Sequence, residues 1–260
     1  MRCIFCKKES SNSRSAEHII PESLGNTKHL LSRGIVCDSC NNYFSREVEK
    51  PFLESPAIKA LRFHQAIPSK KGRVPPIEGL LDPGISVTLY RYLKGPFFGS
   101  IDVNREAFEQ IMSSEQGRVI FPISGEAPKD LVVSRFLAKA GIEAIAYRLS
   151  NYPEGLDYLV DEVQFDPARN HARRGDSRQW PHYARRIYDA DKKWNTESDD
   201  STQVMHEFDF LQTEAGELYF VVAIFGLELT LNIGGPFIDG YINWLKQHNQ
   251  ASPLYLDNRE

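Results

Sequence analysis

The 260-residue chain sets 31 Lys and Arg against 35 Asp and Glu, a formal net charge of -4, so no overall positive field draws it to a polyanion and nucleic-acid contact has to come from local basic patches. At 41% hydrophobic and 25% charged residues, it has the make-up of a globular protein with a sizeable core, which excludes a disordered or fibrous chain. It has no run of about 18 apolar residues and opens on a cysteine pair, so neither a membrane span nor a signal peptide is expected and the cytoplasm is the expected compartment.

Residues 1 to about 55 are polar and turn-rich, with too few large apolar side chains to build a core alone. All four cysteines, Cys3, Cys6, Cys37 and Cys40, fall here. Two C-x2-C pairs supply four thiolates for a tetrahedral structural zinc, which would provide the missing cohesion. Disulfides are not expected in a reducing cytosol, and a lone redox pair would need no duplicate. "AEHII" reads as a strand and "RGIVC", bounded by Gly34, as its antiparallel partner. A helix is expected from about Asp38 to Lys50, capped by Asp38, with Phe44 and Val48 on one face and Pro51 as the stop. Asn41 then sits in its first turn.

"PSKKGRVPPIEG", from Pro68 to Gly79, reads as a linker. It separates a zinc module over 1–65 from a domain over 75–260. In that domain "ISVTLYRYL" and "GRVIFPIS" read as strands flanking a helix at "REAFEQIM". A longer helix is expected in "DLVVSRFLAKAGIEAIAYRLS", where Leu131, Phe136, Ala140, Ala144 and Tyr147 recur at roughly helical spacing, with Gly141 counting against it. Its apolar residues read as core, not as a cofactor site. Further on, Val204, His206, Phe208 and Phe210 alternate with polar neighbours, and "YFVVAIFG" and "LELTLNIGG" follow across turns. This is the pattern of an antiparallel meander, which the amphipathic "FIDGYINWLKQHN" would cover on one face. The fold class expected is α+β.

Between Arg169 and Arg186 six arginines, Arg169, Arg173, Arg174, Arg178, Arg185 and Arg186, interleave with His171, Trp180, His182 and Tyr183. Such a segment can grip phosphates and stack on bases, and is then nucleic-acid-binding. The plainer alternative is a solvated face whose arginines pair with the acids of 154–166.

"EHIIP", "VCDSC" and "NN" together resemble the HNH endonuclease family in its four-cysteine, zinc-stapled form, over about residues 3–50. The resemblance implies a ββα-metal fold with Glu17 and His18 on the first strand and Asn41 on the helix after the last cysteine. It further implies that His18 is the catalytic base and that Glu17 and Asn41 hold a catalytic Mg²⁺ or Mn²⁺, distinct from the thiolate-bound zinc. Neighbours in a regular strand point to opposite faces, so Glu17 and His18 reach one phosphate only if the backbone is irregular where it runs toward Pro21. The family's middle Asn falls at Ser32 here. Ser32 and Asn26 are alternatives for orienting the imidazole, His29 also occupies this loop, and Asn42 rivals Asn41.

The implied activity is divalent-metal-dependent phosphodiester hydrolysis leaving a 5′-phosphate and a 3′-hydroxyl, with DNA favoured and RNA open. The region 75–260 resembles those that accompany such modules in prokaryotic proteins of restriction or defence type, where it would recognise DNA, sense a ligand or join two protomers as a homodimer. The competing expectation is a noncatalytic zinc-containing module that binds nucleic acid or protein.

Overall fold

The computed structural model describes all residues except 83, 95–97, 114–116, 122–130, 176–179, 196–200 and 256–260. They form two compact units, one of Met1–Pro21, Asn26–Phe52 and Ala127–Glu260, the other of Glu22–Gly25 and Leu53–Glu126. Apart from the short excursion at Glu22–Gly25, the first division thus falls at 52–53, and residues 65–75 lie within the second unit. The cause is apolar: Phe44, Val48 and Phe52 are buried, and the Phe52 ring stacks on Phe136 at 3.9 Å, which seats the cysteine-bearing segment on the C-terminal half.

In that segment β1 (Glu17–His18) pairs antiparallel with β2 (Leu30–Leu31), Glu17 opposite Leu31 and His18 opposite Leu30. The second strand therefore lies a few residues before the expected "RGIVC", which instead turns, with Ile35 N–H bonded to Ser32 O. Helix α1 (Asp38–Phe44) is capped by the Cys37 sulfur, which accepts from Cys40 N–H, and not by Asp38. The Asp38 carboxylate accepts instead from the backbone of Arg14 and Ser15 and from Ser15 Oγ. Pro51 does not stop the helix. A π-helical turn over Ser45–Glu49 leads into α2 (Lys50–Glu54), which carries Pro51 in its first turn, where the missing N–H costs little.

In the second unit α3 (Pro56–His64) precedes β3 (Ile77–Leu81), β4 (Ile85–Arg91), β5 (Gly99–Val103), α4 (Arg105–Ser113) and β6 (Val119–Ile120). The antiparallel sheet has the order β5-β4-β3-β6. Both expected strands and the helix between them are present, although residues 122–124 of "GRVIFPIS" lie outside the described residues. The segment read as a linker closes a turn through Ser69 N–H and Arg73 O and runs into β3. It belongs to the unit because Val74 and Ile77 pack with Phe63.

The first unit resumes with α5 (Leu131–Leu149), α6 (Gly155–Asp161), α7 (Asp166–Arg174), β7 (His182–Arg186), the small pair β8 (Trp194–Asn195) and β9 (Ser201–Thr202), then β10 (His206–Gln212), β11 (Leu218–Ile224), β12 (Leu227–Asn232) and α8 (Asp239–Gln247). The antiparallel sheet has the order β10-β11-β12-β7. The expected meander thus gains an edge strand from the arginine-rich segment. Period-two alternation covers both faces: Tyr219 and Val221 pack with Tyr241 and Leu245 of α8, while Phe220 meets α5. There a Cβ on Gly141 would stand 2.4 Å from Ile233 Cδ1 and 3.1 Å from Phe220 Cβ, so the glycine allows helix and sheet to approach closely. Among the described residues no helix is long and apolar enough to cross a membrane.

Candidate zinc and nuclease site

The sulfurs of Cys3, Cys6, Cys37 and Cys40 lie within 4.8 Å of one another, and Cys6 Sγ and Cys37 Sγ are 3.7 Å apart. Four ligands about 2.3 Å from a zinc are about 3.8 Å apart in a tetrahedron, so the donor set and its spacing fit that ion. Backbone N–H groups add to the fit: Cys37 N and Cys40 N each lie 3.4 Å from a cysteine sulfur, Cys3 Sγ and Cys37 Sγ respectively. A bond from Cys40 holds the Cys3 thiol down at about 4, and the same bond with burial pushes Cys40 up.

The cysteine knuckles lie where α1 begins, beside β1. Asn41 Nδ2 donates to Ala16 O at 3.4 Å, the residue before Glu17, which leaves the amide oxygen as the end available to a cation. The strand is regular where Glu17 and His18 lie, so they face opposite ways: Glu17 is 6% exposed, opposite buried Leu31, while His18 is half-buried opposite exposed Leu30. Asn26 is fully buried and organises the β1–β2 loop. Its amide donates to Ile20 O and His29 O, and its oxygen accepts from the N–H groups of Lys28 and His29. The His29 ring is caged by Tyr147, His206 and Phe208.

On its inner side Glu17 meets a group that the sequence reading passed over. Lys139 Nζ, fully buried, stands 2.6 Å from Glu17 Oε1, 2.6 Å from Glu49 Oε1, 3.0 Å from Glu143 Oε2 and 3.2 Å from His18 O. Burial pushes this ammonium down, but Glu143, Glu17 and Glu49 outweigh it and hold its pKa well above the ordinary lysine value. Burial, with Glu17 and Glu49 adding to it against Lys139, raises the Glu143 carboxyl well above its usual range. The four groups form an oxygen-lined chamber with an ammonium as its cation. A signal was present: Lys139 and Glu143, four apart, are the charges in the otherwise apolar stretch 136–146.

The arginine segment serves mainly the interior. Arg169, 1% exposed, donates to Ile4 O, Glu162 O and Asp166 and also bonds Leu159 O. Arg185 pairs with buried Glu228 at 2.5 Å and donates to Gln250 O, and Arg186 bonds Phe225 O. These three are spent on the fold, while Arg178 lies outside the described residues. Arg174 is exposed, and Arg173 borders the depression that also holds Cys6, Cys37 and Cys40.

Two short strands, a helix and a four-cysteine cluster that fits a zinc make up a ββα module. The HNH endonuclease family model matches residues 3–56, so the N-terminal segment is similar to HNH endonuclease domains. The match does not extend to residues 57–260. No curated protein and no solved structure matches the chain.

Proposed function

We propose that the N-terminal module hydrolyses phosphodiester bonds in DNA, with His18 taking the proton from the attacking water. An imidazole titrates near neutrality and suits a general base. Water oxygen bonds to phosphorus as the bond to the 3′ oxygen breaks, giving a 5′-phosphate and a 3′-hydroxyl. The observation that carries the reading is the Asn41–Ala16 contact, which in an HNH-matched segment brings the helix residue against the strand of His18. A divalent ion, Mg²⁺ or Mn²⁺, would neutralise charge on the phosphate oxygens. Asn41 offers it an oxygen. Glu17 does not fit as a free ligand while Lys139 holds its carboxylate, so in this reading it anchors the strand and joins an ion only on release. DNA as substrate and a role in restriction or phage defence rest on the family resemblance.

The same Lys139–Glu17 pair favours a second reading, a noncatalytic zinc module that binds nucleic acid or protein. Incubating supercoiled and single-stranded DNA with Mg²⁺ or Mn²⁺ separates the two. Nicking by wild type and none by His18→Ala, at equal zinc content and unchanged fold, is the expected result. Equal cleavage by both proteins removes His18 from the chemistry, and no cleavage by either turns the argument to the second reading.

A further inference from the structure

The sheet of the second unit ends on β5, and among the described residues no strand lies beyond it. Ser100, Ile101 and Asp102 at its centre are exposed. The edge strands of the other sheet, β10 and β7, are half-buried over most of their length, and β6 has only two residues. The Tyr92 N–H bond to Phe98 O fixes which backbone groups the β5 edge presents. In the same register Tyr90 faces Ser100 and Thr88 faces Asp102, so residues 98, 100 and 102 direct their N–H and C=O groups to β4. Those of Gly99, Ile101 and Val103 point away from the sheet. Such an edge is a template for another strand, and β5 carries none of the Lys, Pro or bulge devices that blunt one.

The edge is complementary to itself. Set antiparallel about a two-fold axis at Ile101, it would pair Ile101 with the second copy's Ile101 and Gly99 with the second copy's Val103, each pair exchanging both hydrogen bonds. Asp102 then stands opposite the second copy's Ser100, so the one charge on the strand meets a hydroxyl and not its own like. The Ser100 oxygen lies 2.5 Å from the Tyr92 hydroxyl, and it can accept from that phenol while donating to the carboxylate across the axis. Ile101, opposite Leu89, lies on the face where Ala107 of α4 packs with Leu81 and Val87, yet it is 43% exposed. Helix α4 starts one residue after β5, its first turn held by Asn104, which accepts from the N–H groups of Ala107 and Phe108. Phe108, Ile111 and Met112, three and four apart, leave an exposed apolar stripe on it. Strand pairing over five residues falls short of the roughly 1,200 Å² that a stable interface buries, and Phe108, nearest the strand, is placed to add to it.

We propose that β5 is a homodimer interface, at which two copies of the chain join edge to edge about a two-fold axis at Ile101 and make one continuous sheet of their two four-stranded ones. The surface lies outside the proposed nuclease chemistry and does not depend on it. Sedimentation velocity of the zinc-loaded full chain, over a roughly hundredfold span of micromolar concentration, should show a monomer–dimer equilibrium. Ile101→Lys sets two ammonium groups at the axis, and Ser100→Asp sets carboxylates opposite Asp102, so each should weaken the dimer roughly tenfold or more. Ser100→Lys gives each Asp102 a cross-strand partner and should tighten it about threefold or more. All three change exposed side chains, so an unchanged circular dichroism spectrum is expected, and opposite signs at position 100 are not what a folding defect produces. Ile101→Cys reads the register. Its paired Cα atoms would stand about 5.5 Å apart, within disulfide reach, so mild oxidation should give a covalent dimer. Thr88→Cys, one strand in from the edge, should give none. A chain that stays monomeric at every concentration overturns the proposal and leaves the edge to a strand of another protein. A dimer that the variants at positions 100 and 101 leave unchanged, or that Ile101→Cys does not cross-link, puts the contact elsewhere and overturns it equally.

Discussion

Lys139 Nζ has three carboxylates within 3.0 Å and no exposure to water. Removing one partner of a buried ion group leaves uncompensated charge and costs about 3–5 kcal/mol, so Lys139→Met should melt far below wild type. The variant would leave Glu17, Glu49 and Glu143 around an empty oxygen-lined chamber, and hard cations take carboxylate oxygen. Mn²⁺ should therefore raise the melting temperature of Lys139→Met and leave that of wild type nearly unchanged. A variant that melts like wild type, or whose loss Mn²⁺ does not touch, would show that the chamber is not held by its central cation. In the sequence the Lys139–Glu143 spacing was visible, but Glu17 and Glu49 lie 122 and 90 positions before Lys139, and no local periodicity announces a pairing at that separation. The cysteines were legible because zinc needs only type and spacing. That neighbours in a regular strand face opposite ways was legible as alternation, but which of Glu17 and His18 turns inward, and toward what, was not.

The elements that deviated did so for local reasons. Pro51 is a stop signal for an unbroken helix, yet a wider π turn ahead of it lets the chain stay helical. "RGIVC" has the β-branched look of a strand, but the sulfurs at Cys37 and Cys40 set α1, and Leu30–Leu31 is the stretch left to pair with Glu17–His18. The helix α5 and the meander were legible because long periodic runs outweigh single residues such as Gly141. The β1–β2 loop carries a pH consequence. Burial and then Lys28 push the His29 imidazole below its ordinary value, so below about pH 6.5 the unfolded chain takes up a proton that the folded chain resists. Stability should consequently fall as pH drops through that value toward the lowered one. Melting curves from pH 8 to pH 5.5 should show His29→Phe less acid-sensitive than wild type, and parallel curves would remove His29 from that loss.

At the scale of the whole molecule, the domain boundary was the least legible feature. A linker-like composition at Pro68–Gly79 suggested a free-standing zinc module, but composition does not report which distant segment buries an apolar face. The first 52 residues bury theirs on the C-terminal half: Phe52 stacks on Phe136, Arg169 from α7 donates to Ile4 O at 2.8 Å, and Lys139 holds Glu17. Arg2 and Lys7 add ion pairs to Asp161 and Asp166, which are partly exposed and worth little singly. Zinc bound by the four cysteines would supply cohesion to the knuckles, but it would replace neither the cover over Phe44, Val48 and Phe52 nor the cation between Glu17 and Glu49. A fragment of residues 1–65 should therefore take up zinc through its four thiolates and still show no cooperative melt. The full chain should lose its N-terminal order on zinc removal by a strong chelator while the β10–β12 sheet, built without cysteine, keeps its own. Hydrogen exchange read along the chain with and without chelator checks the second statement. A zinc-loaded fragment that unfolds cooperatively would mean that the knuckles alone specify the module, and the tie to α5 and α7 would then be a matter of placement and not of folding.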